Sequence, residues 1–318
     1  RNEGVKSNVL GKPMKEPQDV PFEKEGQYLK SDNRSNISYF LEHNVLLRRF
    51  TLSVGVLANY NSALNEGIHF YPGIDASYRI GDNFRLYGSW NRALRMPTFT
   101  DLYYEGKTNK GNPDLKPEES EAFEVGLKYN TYFLRAHIAG FYRKGKNMID
   151  WVKEKPEDIW ESRNLTKVDN LGFETNLSLL PRELGNERFF IRKIELGYAF
   201  IHQDKDSEGY ISNYALDYLK HKFTAQLSHS IWKGFSATWY VRWQDRAGSY
   251  TKYENLKPAY EEPYAPYCLV DMKVNWEYQR LNLYAELNNL LNSTYYDLGN
   301  IPQPGIWFKA GFRYSFKY

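Results

Sequence analysis

FTLSVGVLANY, residues Phe50 to Tyr60, follows a period of two. Phe50, Leu52, Val54, Val56, Ala58 and Tyr60 fall on one face of an extended chain, and Thr51, Ser53, Gly55 and Asn59 on the other. FSATWYVRWQ repeats the pattern, with Phe235, Ala237, Trp239, Val241 and Trp243 opposing Ser236, Thr238, Tyr240, Arg242 and Gln244. The last segment sets Phe308, Ala310, Phe312, Tyr314, Phe316 and Tyr318 against Lys309, Gly311, Arg313, Ser315 and Lys317. About thirteen such segments fit a period of two. They lie near 34–46, 49–60, 70–80, 84–94, 120–129, 132–153, 164–179, 190–203, 217–231, 235–246, 265–277, 281–291 and 305–318. Many exceed the roughly nine to eleven residues that a tilted strand needs to cross a bilayer.

The connections sort by length. Tight links fall around Arg48, at 81–83, at Asn130–Thr131, at 232–234 and at 277–280. The alternate links, 61–69, 94–119, 154–163, 204–216, 247–264 and 292–304, are long and rich in Gly, Pro, Asn, Tyr and charge. Short turns on one side and long loops on the other mark a transmembrane antiparallel β-barrel. The fold class is therefore all-β.

Composition agrees. The 318 residues include 27 Tyr, 18 Phe and 8 Trp, a share of 17% that suits strands and interfaces. No window holds enough consecutive apolar residues for a helical span, and a mean hydropathy of −0.69 is what a barrel with a polar lumen gives. The net charge of +3, from 42 basic and 39 acidic residues, is dispersed, which gives no footprint for nucleic acid. The single cysteine, Cys268, excludes an intrachain disulfide framework and reads as a small apolar residue on a strand face. Residues 1–33 are polar and read as one long extracellular loop, and 34–318 as barrel wall. An odd strand count cannot close antiparallel, and unpaired edges do not persist in hydrocarbon. The sequence is accordingly expected to be the C-terminal part of a larger barrel.

One interruption, Arg92 to Tyr129, carries more than loop chemistry. LRMPTFTDLYY followed by GNPDLKPEESEAFEVGLKY resembles a segment of TonB-dependent outer-membrane receptors: an aromatic or Leu before R-x-P, then N-P-[DN]-L-x-P-E-x-S, then E-x-G. LNNLLNSTYYD is similar to the segment ahead of their last strand, and GFRYSFKY to their C-terminal strand. The resemblance implies about thirteen C-terminal strands of a twenty-two-stranded barrel, with an N-terminal plug and the remaining strands outside this sequence. It also implies a home in the outer membrane of a Gram-negative bacterium. The implied partners are the lipid bilayer, the TonB energy-coupling protein through the plug, the barrel-assembly machinery, and a surface lipoprotein that captures ligand. No cofactor is required and no catalysis is implied; neither a nucleophile elbow nor a phosphate or dinucleotide loop occurs.

For the cargo, the order is a corrinoid such as cobalamin, then a ferric siderophore, then heme; a passive porin-like barrel is the reading from another class. YYDLGNIPQPGIWFKAGF resembles the final hairpin of cobalamin transporters, with Ile306 where those carry arginine. Heme receptors of the family carry a histidine between the two loop motifs, and residues 98–111 contain none, while His69 and His202 lie near outer loops. Large flat ligands bind rigid amphipathic rings, which makes Tyr103, Tyr104, Tyr250, Tyr253, Tyr260, Tyr264, Tyr295 and Tyr296 the candidate contacts. The same rings also suit loop packing and the aromatic girdle. Asp204, Asp206 and Glu208 open like a calcium loop, but Ala215 stands where the closing Glu belongs. Glu124, Lys128, Arg135, Arg242 and Gln244 are expected on a charged inner wall. By resemblance, Phe312, Phe316 and Tyr318 carry the barrel-insertion signal.

Overall fold

The computed structural model describes residues 1–23, 25–64, 67–155, 157–185, 188–206, 209–212, 218–254, 257–299 and 301–316. Its wall is a run of thirteen long strands. The first four are β1 (Gln27–Leu46), β2 (Phe50–Asn61), β3 (Ile68–Ile80) and β4 (Phe84–Arg95). Next come β5 (Glu118–Asn130), β6 (Leu134–Lys153), β7 (Trp160–Leu179) and β8 (Ile191–Asp206). The last five are β9 (Tyr218–Trp232), β10 (Phe235–Ala247), β11 (Tyr267–Tyr278), β12 (Leu281–Asn288) and β13 (Trp307–Tyr314). Each pairs antiparallel with the next, from β1–β2 to β12–β13. β1 and β13 do not pair with each other, so the barrel is not closed within this chain.

Register carries the alternation across the sheet. Ile37 faces Tyr60, Leu41 faces Val56, Val56 faces Pro72 and Val54 faces Ile74. The apolar row continues through Trp90–Phe123, Leu127–Ile138, Trp239–Met272 and Leu283–Phe312. These side chains stand in the open: Tyr39 is 70% exposed and Phe312 74%. A continuous apolar band on the outer surface suits lipid, since it inverts the pattern of a soluble sheet. On the opposite face, inward rings lie over glycines of the neighbouring strand. A Cβ on Gly126 would sit 2.6 Å from the Tyr87 ring, and one on Gly172 would sit 2.5 Å from the Phe141 ring. Only glycine allows these rings to lie flat on the wall.

Two features depart from the expectations. Residues 1–33 are not continuous loop. Asn2–Ser7 and Lys12–Asp19 are strands that pair with β1, which itself begins at Gln27. Both faces are largely polar there, so hydropathy alternation gives no signal although Asn2–Ser7 is paired with β1 along its length and Lys12–Asp19 at its two ends. The β7–β8 link, on the tight-turn side, is longer than the others and contains a 3-10 turn, Pro181–Leu184. Leu180 N–H donates to Phe133 O at 2.8 Å, which ties this link to the neighbouring short turn.

Candidate functional site

The loop between β4 and β5 is organised by the residues that made it stand out in the sequence. Pro97 and Thr98 start a short helix, α1 (Phe99–Tyr103), through a reciprocal capping box between Thr98 and Asp101. GNPD then docks back on the helix. Gly111 N–H donates to Tyr104 O at 2.6 Å and Asn112 N–H to Asp101 O at 2.8 Å. A Cβ on Gly111 would meet the helix backbone at 2.8 Å, so this close approach needs glycine. The loop closes on a charge pair: Arg95 and Glu118 face each other across β4 and β5. Glu118, 7% exposed, accepts from Arg95 Nη2 at 2.6 Å and from the Ile149 N–H at 2.8 Å, with Arg95 Nε completing a fork. The arginine of R-x-P and the glutamate of P-E-x-S are thus partners. Spacing alone does not reveal that.

The folded loop is held from across the mouth. Lys30, Asp32 and Arg34 share one face of β1 and meet it in order. Lys30 lies 3.8 Å from Glu105. Tyr103 Oη donates to Asp32 Oδ2 at 2.5 Å, and Arg34 Nη1 donates to Pro97 O at 2.6 Å. The Arg34 guanidinium also stacks 5.0 Å from the Phe99 ring centroid and is paired with Glu3 at 2.7 Å. Burial, reinforced by the Asp32 carboxylate, pushes the Tyr103 phenol up to about 12. The loop after β4 therefore reaches back over β2 and β3 to β1.

Beneath it lies an inward groove of ≈ 680 Å³ on strands β1 to β4, lined by Arg34, Asn59, Tyr71 and Arg92 among others. A second inward groove, of ≈ 650 Å³, runs along β5 to β11 and holds Lys128, Arg135, His137, Glu195, Arg242 and Asp271. The expected inner wall is present: Lys128, Arg135 and Arg242 line one groove, and Glu124, on the same face of β5 as Lys128, accepts from Tyr87 Oη at 2.7 Å. Gln244 is 7% exposed and lies 3.0 Å from Tyr267 Oη.

The outer loops bring part of the tyrosine set together. Tyr250, on the strand Ser249–Glu254, packs on Tyr264 at 5.2 Å and stacks on Tyr296 at 5.1 Å. The Gly299 N–H donates to Tyr264 Oη at 3.0 Å. Tyr295 packs on Tyr267 at 4.7 Å, joining the loop after β12 to the start of β11. Tyr253 and Tyr260 stand exposed on the hairpin formed with Lys257–Pro263. Tyr103 and Tyr104 belong to the β4–β5 loop instead, where Tyr104 meets Trp151 edge-on at 6.5 Å. The rings thus divide into a packed core, Tyr250, Tyr264 and Tyr296, and exposed neighbours.

The acidic run after position 203 is differently placed than a calcium loop requires. Asp204 and Asp206 end strand β8, where the backbone is extended and cannot wrap an ion, and the Asp204 carboxylate takes Lys167 at 3.3 Å. Glu208 lies outside the described residues. Among the described residues no three His, Cys, Asp or Glu side chains converge as metal ligands. Phe312 and Phe316 are exposed on the last strand and just after it; Tyr318 lies outside the described residues. Cys268 is a half-buried thiol opposite Trp243.

A family model described as "TonB dependent receptor-like, beta-barrel" matches residues 11–290. The vitamin B12 transporter BtuB of Vibrio vulnificus (strain YJ016) is 26% identical over 225 residues, covering 53% of this chain and 36% of that protein. The ferrienterobactin receptor of Escherichia coli (strain K12) is 22% identical over 297 residues, 84% of this chain and 38% of its own length. The chain spans about a third of the length of the curated relatives it matches. A variant of the ferric enterobactin receptor of Pseudomonas aeruginosa, solved with enterobactin, superposes with a TM-score of 0.73 at 19% identity, over 99% of this chain and 50% of that one. The FrpB iron transporter of Neisseria meningitidis follows at 0.68 and 16%, over 90% and 46%. At such identities the superpositions establish the fold alone.

Proposed function

Since the chain belongs to the TonB-dependent receptor-like β-barrel family, we propose that it forms part of the wall and outer vestibule of an active importer in a Gram-negative outer membrane. The importer captures a scarce, large nutrient at the outer face and moves it inward with energy delivered by TonB. The observation that carries this reading is the packed Tyr250–Tyr264–Tyr296 cluster with Tyr253 and Tyr260 exposed beside it. Rigid rings that are already ordered lose little entropy on meeting a broad ligand. A corrinoid is the first ligand, supported by the likeness to a vitamin B12 transporter and by the final-hairpin resemblance. A ferric siderophore is the second, supported by the ferrienterobactin receptor among the relatives. The reading involves no catalytic step.

The test is an equilibrium titration of the full-length receptor in detergent with cyanocobalamin, ferric enterobactin and hemin. Saturable binding of cyanocobalamin, weakened in a Tyr253→Ala, Tyr260→Ala double variant, is the expected outcome. Binding of ferric enterobactin or hemin in preference to cyanocobalamin replaces the corrinoid assignment. Binding of none removes the receptor reading for these nutrients.

A further inference from the structure

The edge of β1 that faces away from β2 is occupied over part of its length, and the occupant dictates what continues it. Asn2–Ser7 lies antiparallel along β1, from Asn2 opposite Ser35 to Ser7 opposite Lys30. Arg1 extends that ladder by one step. Its backbone nitrogen donates to Asn36 O at 2.7 Å, and Asn36 N–H donates to Arg1 O at 2.8 Å. β2 holds the other edge, where Ser35 O accepts from Ser62 N–H at 3.0 Å and Asn36–Leu46 runs opposite Thr51–Asn61. Backbone groups of successive residues in a strand point to alternate edges. Ser38, Phe40, Glu42, Asn44 and Leu46 therefore aim their N–H and C=O groups at the edge that Arg1 enters. Among the described residues no strand pairs with them there. Their neighbours Ile37, Tyr39 and Leu41 stand exposed in the outer apolar row. An open row of backbone polar groups does not persist at lipid depth.

Direction and register narrow the occupant to one. β13 runs the same way as β1, because each of the thirteen strands is antiparallel to the next. It would meet β1 only in parallel and would end against Arg1, as would the β1 edge of a second copy. The chain that leads into Arg1 meets no such obstacle. Stepping back along the antiparallel ladder, the residue before Arg1 falls opposite Ile37 and the tenth before it opposite Leu46. We propose that the polypeptide immediately N-terminal to Arg1 is the strand that covers β1 from Ile37 to Leu46, in the register set by Arg1 and Asn36. Arg1–Ser7 is then the outer end of a wall strand. A register fixed to one residue also fixes the faces. Odd steps before Arg1 stand beside Ile37, Tyr39 and Leu41 against lipid. Even steps stand beside Ser38, Phe40 and Glu42, which line the inner groove. This inference rests on the barrel wall and holds whatever the cargo.

The test is cysteine cross-linking in full-length receptor carrying Cys268→Ser, with copper phenanthroline and air as the oxidant. Leu41→Cys is combined in turn with a cysteine at the third, fifth and seventh residue before Arg1. The fifth stands directly opposite Leu41 in a pair without mutual backbone hydrogen bonds, within reach of a disulfide. The third and seventh are diagonal neighbours about 7–8 Å away, beyond that reach. A disulfide within one molecule at the fifth position, and not at the other two, is the expected result. Preference for the third or seventh overturns the register. A disulfide between two molecules, or from Leu41→Cys to Ala310→Cys on β13, overturns the occupant. No cross-link at any of the three positions, in receptor that reaches its heat-modifiable assembled form, overturns both. The residues preceding Arg1 in the full-length chain supply a second check that needs no variant. Apolar residues should fall on the odd steps; apolar residues on the even steps with polar ones on the odd overturn the register.

Discussion

Tyr103 donates its phenolic proton to Asp32 across the mouth of the sheet, at 2.5 Å, and so joins α1 to a strand three places away. The phenol is pushed up to about 12 from an ordinary 10, by burial first and then by Asp32. A raised value means that the folded protein holds this proton more tightly than the unfolded chain. The stabilisation is therefore complete below pH 10 and is lost as pH rises through about 12. Tyr103→Phe should cost about 1 kcal/mol near neutrality. Its melting temperature should approach that of wild type between pH 10 and 12. A gap that persists unchanged across that range would remove the contact from the account.

Glu118 satisfies both Arg95 and the Ile149 amide. Glu118→Ala should destabilise the barrel by about 2–3 kcal/mol, because it leaves a guanidinium and a backbone donor without their acceptor. Arg95→Lys keeps the charge but loses the fork and should cost about 1 kcal/mol. Urea unfolding in detergent separates the two.

Gly126 lets the Tyr87 ring lie flat, with Tyr87 Oη 2.7 Å from Glu124 and from His137. Gly126→Val should displace the ring and lower stability by about 1–3 kcal/mol. Adding Tyr87→Ala removes the clash, so the double variant should lose less than the sum of the singles. Additive losses would show that ring and glycine are independent.

Val54 and Ser53 are neighbours on opposite faces of β2, Val54 paired with Ile74 in the outer row and Ser53 lining the inner groove. Val54→Lys should cost about 2–4 kcal/mol and reduce the heat-modifiable, assembled form, whereas Ser53→Lys should assemble normally. The reverse order would invert the assignment of faces.

Most of the wall was legible because lipid on one side and polar lumen on the other impose a strict period of two. Phe50–Tyr60 needed nothing else. Legibility ended where that contrast ended. Gln27–Asn33 is strand although both faces are polar, and Asp204–Asp206 continues β8 where acidic spacing suggested a loop. At the candidate site, residue type pointed to the tyrosines, but their convergence depends on how the β10–β11 and β12–β13 loops fold against each other. Hence Tyr250, Tyr264 and Tyr296 meet while Tyr103 serves as a strut.

Uptake into whole cells separates energy-coupled import from passive entry. Cells carrying the full-length receptor as their outer-membrane route for cobalamin would be given labelled cyanocobalamin, with and without TonB. Accumulation above the external concentration that disappears when TonB is removed is the predicted result. Equal uptake in both strains would identify a passive pore and contradict the account.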